Sequence, residues 1–273
     1  MTLGEVLRRA SGHLERTSET GRLDAELLLA HALGRTRIEL YTDLDRPLNE
    51  AELDAYRALV ARRARREPVA YILGEWGFRR LTLKVDERAL IPRPETEVVV
   101  GRCLALLAGQ EAPRVLDVGV GTGAIALAIL DEHPGARVTA IDASTDALAL
   151  ARENADRLGA QLELREHDLR DGLPGGPYDL VVSNPPYVTA AELPGLMPDV
   201  RDYEPHAALV GEGATEAVAH AAHGVLRPGG WLVLEVADEQ APQTLALLRS
   251  LGYREAAISA DLSGRERVVE GGR

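Results

Sequence analysis

The sequence predicts an α/β fold: a mostly parallel sheet covered by helices on both faces, preceded by a small helical domain and a linking β-hairpin. Three observations predict it. From Thr2 to Glu67 apolar residues recur at helical spacing, with no strand-like run. From Arg114 onward short β-branched runs alternate with helical patterns, the signature of a parallel sheet. Between the two, Leu81, Leu83 and Val85 alternate with Thr82 and Lys84, as in a half-exposed strand. The expected divisions are a helical domain over 1–67, a linker and hairpin over 68–92, and the α/β domain over 93–273.

In order along the chain, Leu3, Val6, Leu7 and Ala10 form one helix face. Leu23, Ala25, Leu27, Leu28, Ala30 and Leu33 form the next, with Gly34 suited to a left-handed cap. A third helix starts at Asn49, an N-cap whose capping box Glu52 completes. It ends in Arg62-Arg63-Ala64-Arg65-Arg66, which reads first as cations at a helix C-terminus and second as a docking patch for an acidic partner. The stretch 71–78 pairs with 81–85 as the hairpin. Ile91-Pro92-Arg93-Pro94-Glu95-Thr96-Glu97 reads as a helix start after a linker, with Pro94 in the first turn and two acids on its dipole. Strands are expected over 114–118, 137–141, 162–166, 179–183 and 231–236, with a last one over 265–269. Helices are expected over 124–132, 146–158, 215–226 and 241–251.

Composition narrows the function. The 273 residues carry 31 basic and 43 acidic side chains, a net charge of −12. That balance argues against charge-driven nucleic-acid binding, which needs a Lys/Arg-rich surface. The longest uncharged stretch, 118–130, is too short and too rich in Gly and Thr to span a bilayer. Met1-Thr2-Leu3-Gly4-Glu5 lacks the basic-then-apolar run of a secretion signal, and one cysteine, Cys103, forms no internal disulfide. A cytoplasmic protein is expected. His133, His167 and His206 are scattered, so no metal site is expected.

Asp117-Val118-Gly119-Val120-Gly121-Thr122-Gly123 follows a strand and opens a helix. Its glycines allow a tight turn and close approach of a ligand. The run also satisfies the dinucleotide fingerprint, with Asp142 at about the expected 20-residue offset, so a nicotinamide enzyme is a formal alternative. Asp117, read as facing the ligand crevice, is awkward beside a pyrophosphate and favourable beside a cation. S-adenosylmethionine, with a sulfonium, an ammonium and no phosphate, suits it better. Asp142 ends the second strand, placed to accept from both ribose hydroxyls. Asp168 ends the third, placed to meet an adenine amino group, though a lone Asp at a strand end is more often a turn residue and context alone raises it.

Asn184-Pro185-Pro186-Tyr187 follows the strand over 179–183. An amide or exocyclic amino nitrogen has its lone pair delocalised and is a poor nucleophile. The Asn184 side-chain oxygen and the Pro185 carbonyl can each accept one N–H, turning the lone pair toward a sulfonium methyl. The prolines, Pro185 and Pro186, stiffen the loop, and Tyr187 is suited to stack on a flat substrate group.

With these motifs in place, the chain resembles the class I S-adenosylmethionine-dependent methyltransferases, and most closely the HemK-type (PrmC) release-factor glutamine methyltransferases. Glu67-Pro68-Val69-Ala70-Tyr71-Ile72-Leu73-Gly74, the segment from Leu90 to Glu97, Ser183-Asn184-Pro185-Pro186-Tyr187 and Tyr203-Glu204-Pro205 match that family in order. The resemblance implies methylation of the glutamine side-chain nitrogen in the Gly-Gly-Gln motif of class I peptide chain release factors. It implies that the helical domain helps dock this partner, and that Gly119, Val120, Gly121, Thr122, Gly123 and Asp142 hold the cofactor. Leu169 occupies a place that is often aromatic in relatives; it can pack on adenine but not stack. The Gly77-Phe78-Arg79-Arg80-Leu81 stretch also departs from the family's glycine-and-aromatic pattern, and Gly211-Glu212-Gly213-Ala214 is a looser match. A monomer is expected, with no membrane and no direct nucleic-acid contact. The alternatives are an N-methyltransferase acting on an exocyclic amino group of a nucleic-acid base, which shares the Asn-Pro-Pro-Tyr chemistry, and a non-catalytic module that keeps the pocket.

Overall fold

The computed structural model describes residues 1–273. It resolves into two compact units: Met1–Glu75 with Leu196–Tyr203, and Trp76–Gly195 with Glu204–Arg273.

The first unit is helical. Helix α1 (Leu3–Leu14) opens with a capping box between Thr2 and Glu5 and buries Leu3, Val6, Leu7, Ala10 and Leu14. Helix α2 (Gly21–Leu33) ends at Gly34, which takes the left-handed conformation at φ 61°. A short α3 (Arg37–Tyr41), absent from the sequence reading, has its own capping box on Thr36. Helix α4 (Glu50–Ala64) starts on the Asn49–Glu52 box and packs on α2, where the buried Tyr56 hydroxyl donates to the Ala25 carbonyl at 3.1 Å. The α4 arginines sit at the dipole's negative end, but they are not a free patch. Arg63 is 6% exposed. Its guanidinium donates to Asp24 at 2.7 Å, to Asp199 at 2.6 Å and to Ser18 at 3.0 Å. Arg62 pairs with Glu67, and Arg66 reaches Asp199 at 3.4 Å. Three of the four guanidiniums are therefore neutralised inside their own unit. Asp199 lies on a single turn, Pro198–Arg201, 136 residues from Arg63, and this ion cluster accounts for a segment of the late chain belonging to the helical unit.

Residues 71–73, expected as part of the hairpin, instead belong to α5 (Val69–Leu73), closed by Gly74 at φ 74°. The hairpin is β1 (Glu75–Phe78) with β2 (Leu81–Lys84), turned at Arg79 (φ 51°).

The second unit holds a seven-stranded sheet of order β5-β4-β3-β6-β7-β9-β8. The strands are β3 (Arg114–Val118), β4 (Arg137–Asp142), β5 (Glu163–Glu166), β6 (Tyr178–Ser183), β7 (Leu226–Glu235), β8 (Arg254–Ala260) and β9 (Glu266–Gly272). The five strands from β5 to β7 are parallel; β9 and β8 add antiparallel to the edge. Alternation along the strands sorts the core onto two faces. Val115, Val138, Leu180 and Val182 pack with α6 (Pro94–Leu107), α7 (Ala124–Glu132) and α8 (Thr145–Leu158). Leu116, Val118, Ile141 and Val181 pack with the helices Ala214–Val225 and Ala241–Ser250.

Candidate active site

Strand β3 is where the chain reverses its winding: β4 lies on one side and β6 on the other. Open parallel sheets bind ligands outside the carboxyl ends of the strands at this point. Val118 is level with Ile141 of β4 and Ser183 of β6, so the residues that follow each strand emerge at one place. The glycine loop is tied down by Gly119 and Val120, whose N–H groups both donate to the Ile141 carbonyl, at 2.9 and 3.0 Å. Gly123 takes φ 86°, and a Cβ there would sit 3.0 Å from the Leu127 side chain, so both conformation and packing demand glycine. Buried Asn154 of α8 donates to the carbonyls of Thr122 and Lys84 and accepts from the Lys84 N–H, fastening the loop to the hairpin.

At this edge lies a cavity of about 460 Å³, formed by residues 88–93 and Thr96, by Gly119, Val120, Gly121 and Thr122, by Asp142 to Ser144, and by Asn184 and Pro186. That volume is in the range of about 300–1,000 Å³ common to small-molecule sites. Asp142 accepts the Gly121 N–H at 3.1 Å and the Ser144 N–H at 2.9 Å. Ser144 caps α8, so Asp142 is not needed as the cap. Burial raises the Asp142 pKa against the pull of these N–H bonds, and no cationic side chain pairs with it.

Asp117 does not line the cavity, as the sequence reading had it. It is the penultimate residue of β3, 1% exposed, and turns under the first turn of α7, where one oxygen accepts the Ala126 N–H at 3.2 Å. Its other oxygen has no partner. Burial pushes its pKa up to about 8, and the charge on Asp142 adds to the rise.

Asn184 stands directly beyond β6, its Nδ2 donating to the Thr96 hydroxyl at 3.4 Å. The Asn184 side chain thus shares one cavity with the glycine loop and Asp142. Residues 91–93, which also line the cavity, are held by buried Glu204: it accepts the Ile91 N–H at 3.1 Å and pairs with Arg93.

Residues 5–74 match the model of the PrmC N-terminal domain, and residues 102–195 match that of the methyltransferase small domain. A release factor glutamine methyltransferase of Geobacter sulfurreducens is 44% identical over 277 residues, covering 99% of this chain and 96% of the relative. One from Chlorobaculum tepidum is 43% identical over 268 residues, 93% of this chain and 90% of its own. This chain belongs to the release factor glutamine methyltransferase family. A methyltransferase structure from Pyrococcus furiosus, 17% identical, matches the fold with a TM-score of 0.52 over 70% of this chain and 87% of that one.

Not every residue expected at the family's site reaches the cavity wall. Pro185 is buried in the loop, and Gly123 lies behind it as the cap of α7. Tyr187 faces a separate cavity of about 230 Å³ beside Gly211, Gly213 and Gln240, and its carbonyl accepts from Gln240 at 3.2 Å. Asp168 is held by Arg170, which drives its pKa down to about 2, and Leu169 packs into the sheet's core. Neither lines the cavity. In return, the structure gives a place to residues that the sequence reading had not assigned to the site. Thr96 had read only as part of a helix start. Gly211 approaches so closely that a Cβ there would lie 2.4 Å from the Pro186 ring. Glu235 ends β7, 2% exposed. Its one sequence signal is a charge inside the apolar run Leu232-Val233-Leu234-Glu235-Val236.

Proposed function

We propose that this chain transfers a methyl group from S-adenosyl-L-methionine to the side-chain amide nitrogen (N5) of the glutamine in the Gly-Gly-Gln motif of class I peptide chain release factors. The observation that carries the reading is Asn184 lining one cavity with the glycine loop and Asp142, at the sheet's switch point, in a chain of this family.

The residues fit the cofactor. Asp142 has no cationic partner and would accept from the ribose hydroxyls, while the loop over 119–122 would follow the cofactor along the sheet edge. Asp117, with a buried oxygen lacking a donor, favours a positively charged ligand nearby through the field it would exert when ionised. When bound, S-adenosylmethionine supplies a methyl group made electrophilic by its sulfonium.

The remaining chemistry belongs to the chain. No group of the protein donates to the Pro185 carbonyl, and the Asn184 amide spends its N–H on Thr96. The Asn184 oxygen, on the cavity wall, is the acceptor we assign to one hydrogen of the substrate amide, and the Pro185 carbonyl, unclaimed although its residue is buried in the loop, is assigned to the other. Holding both bends the nitrogen out of conjugation and aims its lone pair. The proton is lost to water after transfer, so no strong base is needed. The helical unit would serve to dock the partner.

A nucleic-acid substrate is the weaker reading. It calls for a basic docking face, and three of the four arginines in the run that came nearest to one are neutralised by Asp24, Glu67 and Asp199. No helix is long and apolar enough to cross a membrane, and the single cysteine is a free, buried thiol. Incubation with a release factor and labelled S-adenosylmethionine, followed by peptide mass spectrometry, tests the function: one methyl on the Gly-Gly-Gln glutamine is expected, and an unmodified peptide refutes it. Asn184→Ala should lower kcat by about 10²–10³-fold while cofactor affinity is kept.

A further inference from the structure

Two segments that match the family, Leu90–Glu97 and Tyr203-Glu204-Pro205, have no part in the transfer chemistry, yet the structure joins them at the cavity. Residues 88–93 form neither helix nor strand and run along the cavity wall as a strap. The strap lies close to the glycine loop: a Cβ on Gly121 would stand 4.0 Å from that of Ala89. Its first end is fastened twice. Arg88 pairs with Asp86 at 2.7 Å and with Glu153 of α8 at 2.8 Å, and Ala89 packs with Ala147 and Leu150 of the same helix.

The second end depends on one side chain. A buried N–H needs an acceptor even where the chain has no regular structure. The N–H of Ile91, a residue 5% exposed, donates to the Glu204 Oε2 at 3.1 Å, and the Arg93 guanidinium pairs with Oε1 of the same carboxylate. Glu204 is itself 3% exposed and lies 113 residues from Ile91 in the chain. Just beyond it, Pro205, Ala207 and Ala208 line the same cavity. One carboxylate therefore ties together two segments that both line the site. A carboxylate is costly to bury, but an apolar residue here could not accept the N–H and hold the guanidinium at once.

We propose that Glu204 is a positioning residue for the cofactor: by holding Ile91 and Arg93 it keeps the strap in its binding position before the ligand arrives, and so sets cofactor affinity rather than the rate of transfer. The assignment rests on the reading of this cavity as the S-adenosylmethionine site. Glu204 does not line the cavity; it acts through the residues that do. Without it the Ile91 N–H loses its acceptor and the strap keeps only its Arg88 end. Part of the binding energy then goes into ordering the wall, and the apparent affinity falls. Asn184 stands beyond β6 and keeps its place, so transfer from bound cofactor is unchanged.

The test uses the full-length protein, with calorimetry for S-adenosylmethionine Kd, amide exchange for the strap and steady-state kinetics on a release factor. Glu204→Ala removes both contacts. It should raise the cofactor Kd about tenfold and leave kcat at saturating cofactor within about twofold, the split expected when only uniform binding is lost. Without cofactor, its Ile91 amide should exchange about tenfold faster than in the wild type. Glu204→Gln keeps an oxygen for the Ile91 N–H and loses the charge facing Arg93, so its Kd should rise only about threefold. The assignment is overturned if Glu204→Ala binds cofactor as tightly as the wild type, if its loss falls on kcat, or if the Ile91 amide is unprotected in the wild type. If Glu204→Ala does not fold, Glu204→Gln decides: a weaker Kd at unchanged kcat supports the assignment, and a wild-type Kd overturns it. A wild type that takes up no S-adenosylmethionine removes the reading of the cavity and the assignment with it. A wild type that does, beside an equally tight Glu204→Ala, removes the assignment alone.

Discussion

Asp24 in the helical unit and Asp117 under the glycine loop are the same side chain, both buried, in opposite circumstances. Asp24 receives the Arg63 guanidinium at 2.7 Å and the hydroxyls of Ser18 and Thr20 at 2.7 and 2.8 Å. Asp117 receives one backbone N–H, keeps one oxygen bare and has no cation beside it. The contrast extends through each unit. Glu26 in the helical unit is paired with Arg22 and Arg37, whereas Glu235 at the carboxyl end of β7 has no ion pair and leaves Oε2 without a partner. A buried carboxylate that the fold neutralises is holding chain segments together. One left without a counter-charge costs stability, and such groups gather where a ligand or a reaction needs them.

The largest effect expected from this contrast is in the helical unit. Arg63→Ala strands Asp24 and leaves Asp199 only its longer contact with Arg66, and should destabilise the protein by about 3–5 kcal/mol, read as a lower urea midpoint. It should also loosen the 196–203 segment, seen as faster amide exchange there. A variant within about 1 kcal/mol of wild type would mean that these pairs are decorative, and the contrast with Asp117 would lose its structural half.

How much of this was readable beforehand follows the same division between local and distant causes. The caps at Asn49 and Gly34, the strand–helix alternation and both motif loops are written in neighbouring residues, and they stand where the pattern put them. Strand β8 was missed because Arg254-Glu255-Ala256-Ala257-Ile258-Ser259-Ala260 lies half-exposed at the sheet edge and its register shifts twice, so no clean alternation exists to read. The docking of 196–203 onto the helical unit depends on an ion pair across 136 residues, which no local pattern encodes. Asp117 was identified as a site residue, but which way it turns was not legible, because a strand-end residue's direction depends on the face that α7 covers. Thr96 becomes meaningful only when β6 and α6 bring it to Asn184.

A second prediction tests the other half of the contrast, and its sign is reversed. The Asp117 carboxyl titrates near 8 in the folded protein and at about 3.9 in the unfolded chain. The unfolded chain therefore gives up its proton first. Wild-type stability without cofactor is full below about pH 4 and falls as the pH rises toward 8. Asp117→Asn has no such proton. It should match or fall below wild type at pH 5 and exceed it by about 2 kcal/mol at pH 8, a rise in Tm of ~4–8 °C. The same variant should bind S-adenosylmethionine more weakly, because the field that favours a cation is gone. Equal stability profiles in the two proteins would show that Asp117 is already neutralised.

The smallest effect separates Asp168 from its expected place at the adenine. Its carboxylate is tied to the Arg170 guanidinium at 3.0 Å and to the Arg170 backbone N–H at 2.9 Å, an arrangement that closes a turn after β5. The pair is open to solvent, where such contacts contribute little. Asp168→Asn keeps an acceptor for the backbone N–H, so the turn survives. Cofactor Kd, followed by calorimetry, should change by less than about twofold, and Tm by about a degree or less. A tenfold weaker Kd would mean that Asp168 leaves Arg170 for the ligand when the cofactor binds. A paired carboxylate would then be as functional as an unpaired one, and pairing would no longer tell the two kinds of buried and half-buried acid apart in this protein.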